Sequence, residues 1–589
     1  VEKEVEVVKV EVVEKVVEKP VEKVVSALPP GASSLVKGMP VCEGTASASP
    51  GGTLRSFGHD PGGFDAQGGD WWAASILQTF THLRLTQWNF CDPSENADFT
   101  AYPYLAESWE ISDDGLQYTF HITKGVQWQN TPPVNGREVT ADDVVFSYRR
   151  YLEPEAANRS YLGPVESVEA LDTYTVRFTL GEPSAVFLPA TAFSGFPIYA
   201  PEVLDEFGGF ETMESSIGIG AGPWRLAEYE PGMIIALERN PDFFRGSNGI
   251  TGENLPYLDR VEFHMVAEAA SGLAMYKAGD VDHGFGLCAC FGYWTGDPET
   301  IKNLRETAPD LAQGVRYFPT SPFAIYYLRP KVDRPPFDNQ KLRQAVSMVI
   351  ARDCRAWCKD RGIEDENREL SSTHDWFVPW EELGEGKKYY PRLAGNPIRD
   401  VEGARALANE ARAEMGLGPD EIIQTTMNIG DYAVSDAELI QVWLAEIGIE
   451  IDIVSVPYNE FLATYNSYPY EWDGIAYGTR SPAPWDVDVR LSPDFLPDGS
   501  FNNMGVDDPE LTELVLAQRS EQDPEVREQI VRDIQKYLAV KQYEWIIPNY
   551  VSQNVYAPWL KNVGPQKSSS MMGGSFSQTW LAAGAPGRQ

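Results

Sequence analysis

The sequence predicts an α/β protein of more than one domain. Three observations point there: its length, the period-2 runs set between hairpin turns, and the helix starts that fall among them. With 589 residues the chain is too long for one hydrophobic core, so two or three domains are expected. Alternation in Tyr118-Thr119-Phe120-His121-Ile122 marks a strand, and Asp113-Asp114-Gly115 and Asn135-Gly136 mark turns on either side. Thr140 with Asp143 reads as a capped helix start.

In chain order, residues 1–25 contain only Val, Glu, Lys and one Pro. They offer no aromatic or Leu for a core. Val8, Val10 and Val12 follow period 2, Val1, Val5, Val8 and Val12 a near-heptad, and Pro20 breaks a helix. The expectation is an extended charged tether; the alternative is a strand or coiled-coil segment that orders by self-association. Residues 26–50 continue as a Pro/Ser/Ala/Gly linker. The folded body begins at Gly51-Gly52-Thr53-Leu54-Arg55. The Gly-rich loop 58–72 lacks GxxxxGK[ST] and no GxGxxG opens a helix there, so it is not a phosphate cradle. Helical spacing follows over 73–85. A hairpin is expected over Val165–Leu180, turning at Leu171-Asp172-Thr173, and a strand pair around Glu230-Pro231-Gly232.

Composition narrows the function classes. The formal net charge is −39, which disfavours nucleic acid and anionic lipid as partners. No apolar run reaches the roughly 18 residues of a membrane span. No basic n-region with an apolar h-region opens the sequence, so an exported protein is expected here in its mature form. Aromatic residues are 12% of the chain, with 16 Trp and 27 Tyr, side chains that line pockets for organic ligands. Among the six Cys, Cys354 and Cys358 stand one helical turn apart, and Cys288 and Cys290 flank a single Ala. Without a CxxC…CxxC pattern these read as disulfides or buried thiols rather than a metal site.

Several segments resemble the extracytoplasmic solute-binding proteins of ABC importers, in the large peptide/nickel-binding family 5. They are Leu105–Arg149; Gly220-Ala221-Gly222-Pro223-Trp224-Arg225-Leu226 through Glu238-Arg239-Asn240-Pro241-Asp242-Phe243-Phe244; Lys277-Ala278-Gly279-Asp280-Val281-Asp282; Pro336-Phe337-Asp338 with Arg343-Gln344-Ala345 and Ile350-Ala351-Arg352-Asp353; and Leu439–Ile451. They occur in the family's order over roughly residues 51–565. The resemblance implies a two-lobed periplasmic-binding-protein-like fold with a ligand cleft between lobes. It places the first lobe at 51–315 with an inserted subdomain at about 99–217, and the second lobe at 316–547. Residues 548–589 return to the first lobe, with crossovers near Val315–Tyr326 and Trp545–Val555. It implies capture of a small solute by lobe closure and delivery to ABC permease subunits, with no cofactor. It also implies an extracytoplasmic location, lipid-anchored through a segment outside this sequence.

One position departs from the family. Peptide-binding members place an Asp for the peptide's ammonium in a stretch like GWxxDxxxP. Here the corresponding stretch is 475–484, and Arg480 holds the Asp position. An Arg repels an ammonium, but its planar fork suits a carboxylate, phosphate or sulfonate. The ligand expectation therefore shifts toward a polar or anionic solute, peptide-like or not. A slip of the loop puts Asp486 or Asp488 in play instead, and the bland alternative pairs Arg480 with a nearby acid. By position, His59, Asp60, Trp71, Trp72, Trp294, Tyr326, Tyr327 and Trp485 are further cleft candidates, each with lobe packing as its alternative.

Two other function classes fit the sequence less well. A hydrolase lacks support: there is no G-x-S-x-G and no HExxH, and Asp142-Asp143 and Asp507-Asp508 read as helix starts. A surface-assembly protein reusing the fold, with the Val/Glu/Lys tail as its assembly element, is the runner-up.

Overall fold

The computed structural model describes residues 48–58, 61, 63–67, 71–88, 101–154, 156, 158–246, 254–266, 269–282, 298–312, 315–318, 325–350, 376, 378–393, 396–465, 470, 472–480, 486–547, 552–562 and 576–586. The Val/Glu/Lys tail and all six Cys lie outside them.

Strand β1 (Thr53–Gly58) starts the first sheet, and helix α1 (Trp71–Thr81) follows it. The chain then leaves this sheet for an inserted layer of four antiparallel strands: β2 (Ala106–Ile111), β3 (Gln117–Ile122), β4 (Val165–Asp172) and β5 (Thr175–Leu180). They pair in the order β2-β3-β5-β4. Gly115, at φ +71, turns β2 into β3, and Asn135 and Gly136 turn the next loop at φ 48 and 71, where Asn and Gly are tolerated. Helix α2 (Ala141–Tyr151) packs on this sheet. It starts at the capping box read from the sequence: the Asp143 carboxylate accepts the Thr140 N–H at 2.8 Å. Aromatic rings fill the layer, with Tyr148 meeting Phe178 edge-on at 4.8 Å. The same apolar cluster runs on through Leu83, Leu85, Ala221, Phe243 and Phe244, so the layer is fused to the first lobe.

The chain returns through β6 (Trp224–Glu230), β7 (Ile234–Arg239) and β8 (Arg260–Met265), which complete the first sheet in the order β1-β8-β7-β6. Leu54, Phe80, Trp224, Leu237 and Val261 form its core, joined by Tyr556, Leu560, Phe576 and Leu581 from the end of the chain. Asp282, fully buried, ties the two ends: it accepts from the Arg55 guanidinium and, at 2.7 Å, from Trp559 Nε1.

Next come β9 (Val315–Phe318) and β10 (Ile325–Pro330), followed by helix α3 (Gln340–Val349). The second sheet adds β11 (Ile423–Gly430), β12 (Ile449–Val456), β13 (Ile475–Arg480) and β14 (Trp545–Ile547), in the order β12-β11-β13-β10-β14. Strands β11 and β12 are parallel, so the chain between them must cross over, and helix α4 (Val434–Ala445) does so. Gly448 makes the exit turn at φ +73, and Arg412 Nη2 donates to the Ile447 and Gly448 carbonyls at 2.7 and 3.0 Å. Helices α5 (Asp488–Phe495), α6 (Pro509–Ser520) and α7 (Pro524–Lys541) finish the second lobe around Leu491, Phe495, Leu511, Val531 and Ile534. Asp508 caps α6 by accepting the Glu510 and Leu511 N–H groups, as the reading of Asp507-Asp508 as a helix start expects. The last strand, β15 (Ser552–Val555), pairs with β9, while β10 pairs with β14. The two passages between the lobes therefore lie between paired strands.

Candidate functional site

The crossings set where a cleft can form. Ile325, the first residue of β10, is in register with Arg480, the last residue of β13; Tyr326 faces Thr479 and Tyr327 faces Gly478. Arg480 and Tyr326 thus stand at the end of the second sheet where the chain comes over from the first lobe. In the first lobe, β1 ends at Gly58, and Trp71 and Trp72 open α1. His59, Asp60, Trp294, Trp485 and the pairs Cys288/Cys290 and Cys354/Cys358 lie outside the described residues.

Tyr327 departs from the expectation of a cleft contact. Its side chain is 2% exposed. The ring packs against Gly478, where an added Cβ would come within 2.9 Å of the hydroxyl, and the Arg329 guanidinium carbon lies 4.2 Å from the ring centroid. Gly478 leaves room for the ring, which therefore packs inside the lobe.

The two acids held in reserve for an ammonium are also engaged. Asp486 takes a two-pronged bond from Arg527, at 2.7 and 2.5 Å. Asp488 accepts from Arg519 Nε at 3.2 Å, from Ser492 at 2.5 Å and from Gln518. Both acids are buried, and their oxygens are used within the second lobe.

Behind the crossing strands lies a four-ion network that the sequence reading missed. Arg329 on β10 donates to Asp494 of α5 at 2.6 Å and to Glu544, just ahead of β14, at 3.2 Å. Arg490 donates to Asp494 at 2.6 Å and also to Glu544. Two cations and two anions balance. Burial works to lower the Arg329 pKa, and the Asp494 and Glu544 carboxylates reverse this, leaving it above its ordinary value. The only sequence signal was Arg490 and Asp494 at i,i+4 on one helix. The network fixes β10 and β14, the strands that run into both crossings.

Among the described residues no cluster of three or more His, Cys, Asp or Glu can hold a metal, and no helix is long and apolar enough to cross a membrane.

Residues 100–495, more than half of the chain, match the family model described as bacterial extracellular solute-binding proteins, family 5 middle. A dipeptide-binding protein of Pseudomonas aeruginosa is 27% identical over 88% of this chain and 92% of its own length. Three other curated relatives, a heme-binding protein A of Haemophilus influenzae among them, match over 62%, 64% and 65% of their own length. Among solved structures, DppA of Helicobacter pylori in complex with the peptide STSA has a TM-score of 0.69 at 21% identity, covering 91% of this chain and 99% of that one. MoaA of A. tumefaciens R10 in complex with mannopinic acid has a TM-score of 0.70 at 20% identity, covering 91% and 100%. The fold is that of a two-lobed binding protein. The chain belongs to the bacterial extracellular solute-binding proteins, family 5.

Proposed function

We propose that this protein captures a small organic solute bearing an anionic or polar group, peptide-like or not, between its lobes and delivers it to an ABC permease. The observation that carries the ligand class is Arg480 at the crossing end of β13, with Asp486 and Asp488 bound to Arg527 and Arg519 instead of facing a ligand ammonium. A fold of this kind holds a peptide in one relative and mannopinic acid in another, so the architecture itself accommodates either.

In this reading Arg480 grips the solute's acid group, and Trp485, His59, Trp71, Trp72, Trp294 and Tyr326 line the cleft. Tyr327 backs the strand. The lobes comprise about 51–315 with the C-terminal stretch, and 316–547, turning about the paired crossings. The protein works outside the cytoplasm, lipid-anchored through a segment outside this sequence, and releases its solute chemically unchanged. Calorimetric titration with a set of N-acetylated peptides, free peptides and small organic acids tests the ligand class. Acids lacking an ammonium are expected to bind. Binding confined to probes with a free ammonium contradicts the reading.

A further inference from the structure

The inserted layer also touches the second lobe, along a seam formed by elements other than the crossing strands. Val489 in the first turn of α5 is 4% exposed, and its apolar contacts are with the inserted layer's cluster, whereas Val487, Leu491 and Phe495 belong to the second lobe's own core. Phe501 packs on the same inserted cluster. Ser160, in the turn Arg159–Leu162, shares a 2.9 Å hydrogen bond with Ser500. The Ala185 N–H donates to the Arg519 carbonyl at 3.2 Å. Arg159 is lowered in pKa by burial and by Arg519 across the seam, with Asp498 offsetting part of this.

Two facts make this seam a matter of closure. The inserted layer's apolar cluster takes in Leu83, Leu85, Ala221, Phe243 and Phe244 of the first lobe but only Val489 among its buried members from the second, which ties the layer more broadly to the first lobe. Opening about the crossings must therefore separate Val489 from its partners. On the other side, α5 is tied through Arg490 and Asp494 to Arg329 and Glu544 at the crossing strands. One short helix links the crossing strands and the seam.

We propose that the seam is a second closure contact, in which Val489, Ser500, Phe501 and Arg519 on one wall, and Ser160 and Ala185 on the other, are positioning residues that hold the closed state and set solute affinity from outside the cleft. The proposal rests on capture by lobe closure. Affinity scales with the fraction of molecules in the binding-competent state, so loosening the seam weakens binding without altering any solute contact.

The test uses the full chain with two variants on opposite walls, Val489→Asp and Ser160→Phe. Hydrogen exchange is followed over 158–165 and 184–188, with the strands 423–430 and 449–456 as internal controls. Affinity for mannopinic acid and for the peptide Ser-Thr-Ser-Ala is measured by calorimetry. Both variants are expected to raise exchange on the seam, to leave the control strands protected, and to weaken whichever probe binds the parent protein by about tenfold. Unchanged exchange at the seam, loss of protection in the control strands, or unchanged affinity for a probe the parent binds overturns the proposal. If the parent binds neither probe, the exchange measurement alone decides the seam, and capture itself is judged from solutes released by the parent protein.

Discussion

Arg329 and Asp494 meet at 2.6 Å with side chains 1% and 0% exposed, and the same carboxylate oxygen also accepts from Arg490. Removing that carboxylate leaves two buried guanidiniums sharing Glu544. Asp494→Ala is expected to destabilise the protein by about 3–5 kcal/mol in urea unfolding, because an uncompensated buried charge costs far more than the pair contributes. A loss under about 1 kcal/mol would show that the network is hydrated rather than buried.

Asp486 distinguishes a structural acid from a ligand acid. Asp486→Asn removes the charge that Arg527 grips in the interior. The melting temperature is expected to fall while solute affinity stays within about twofold. The opposite pattern, with the melting temperature kept and affinity lost, would place Asp486 in the cleft.

Arg480 carries the reading of the ligand. Arg480→Ala is expected to weaken an anionic solute by about tenfold or more, and Arg480→Lys to recover part of that, since Lys keeps the charge but not the planar fork. Equal affinity in parent and Arg480→Ala by calorimetry removes the anchoring role.

His82 predicts a pH dependence. Burial first, then Arg84, holds its pKa down from 6.5 to about 3, so the ring is neutral in the folded protein. The unfolded chain takes up that proton at higher pH than the folded one. The stability contributed by the neutral ring is full above about pH 6.5 and is lost as pH falls toward 3, by about 2 kcal/mol at pH 5. His82→Gln is expected to flatten the stability profile between pH 6.5 and 5. A slope identical to that of the parent contradicts this.

What could be read in the sequence was mostly local. Gly115, Asn135-Gly136, Thr140 with Asp143, Asp508 and Gly448 each announce a turn or helix end through chemistry within a few residues, and the structure uses them that way. The site resisted because its determinants are distant in sequence. Arg329 meets Asp494 across 165 positions, and Asp486 meets Arg527 across 41. In a chain with 87 acidic residues nothing nearby marks which acid an arginine will choose. Tyr327 is a related case: its burial rests on Gly478, a strand partner far along the chain. Val489 looks like any helical apolar residue until the inserted layer is packed against it.

Solute capture itself is tested most directly by mass spectrometry of small molecules released on denaturing the purified full-length protein. The expected result is one class of polar or anionic organic solute, near one per chain, recovered chemically unchanged and reduced in the Arg480→Ala preparation. A protein that releases no solute and also binds none from a panel of acids and peptides, or one that releases a chemically converted product, contradicts the account.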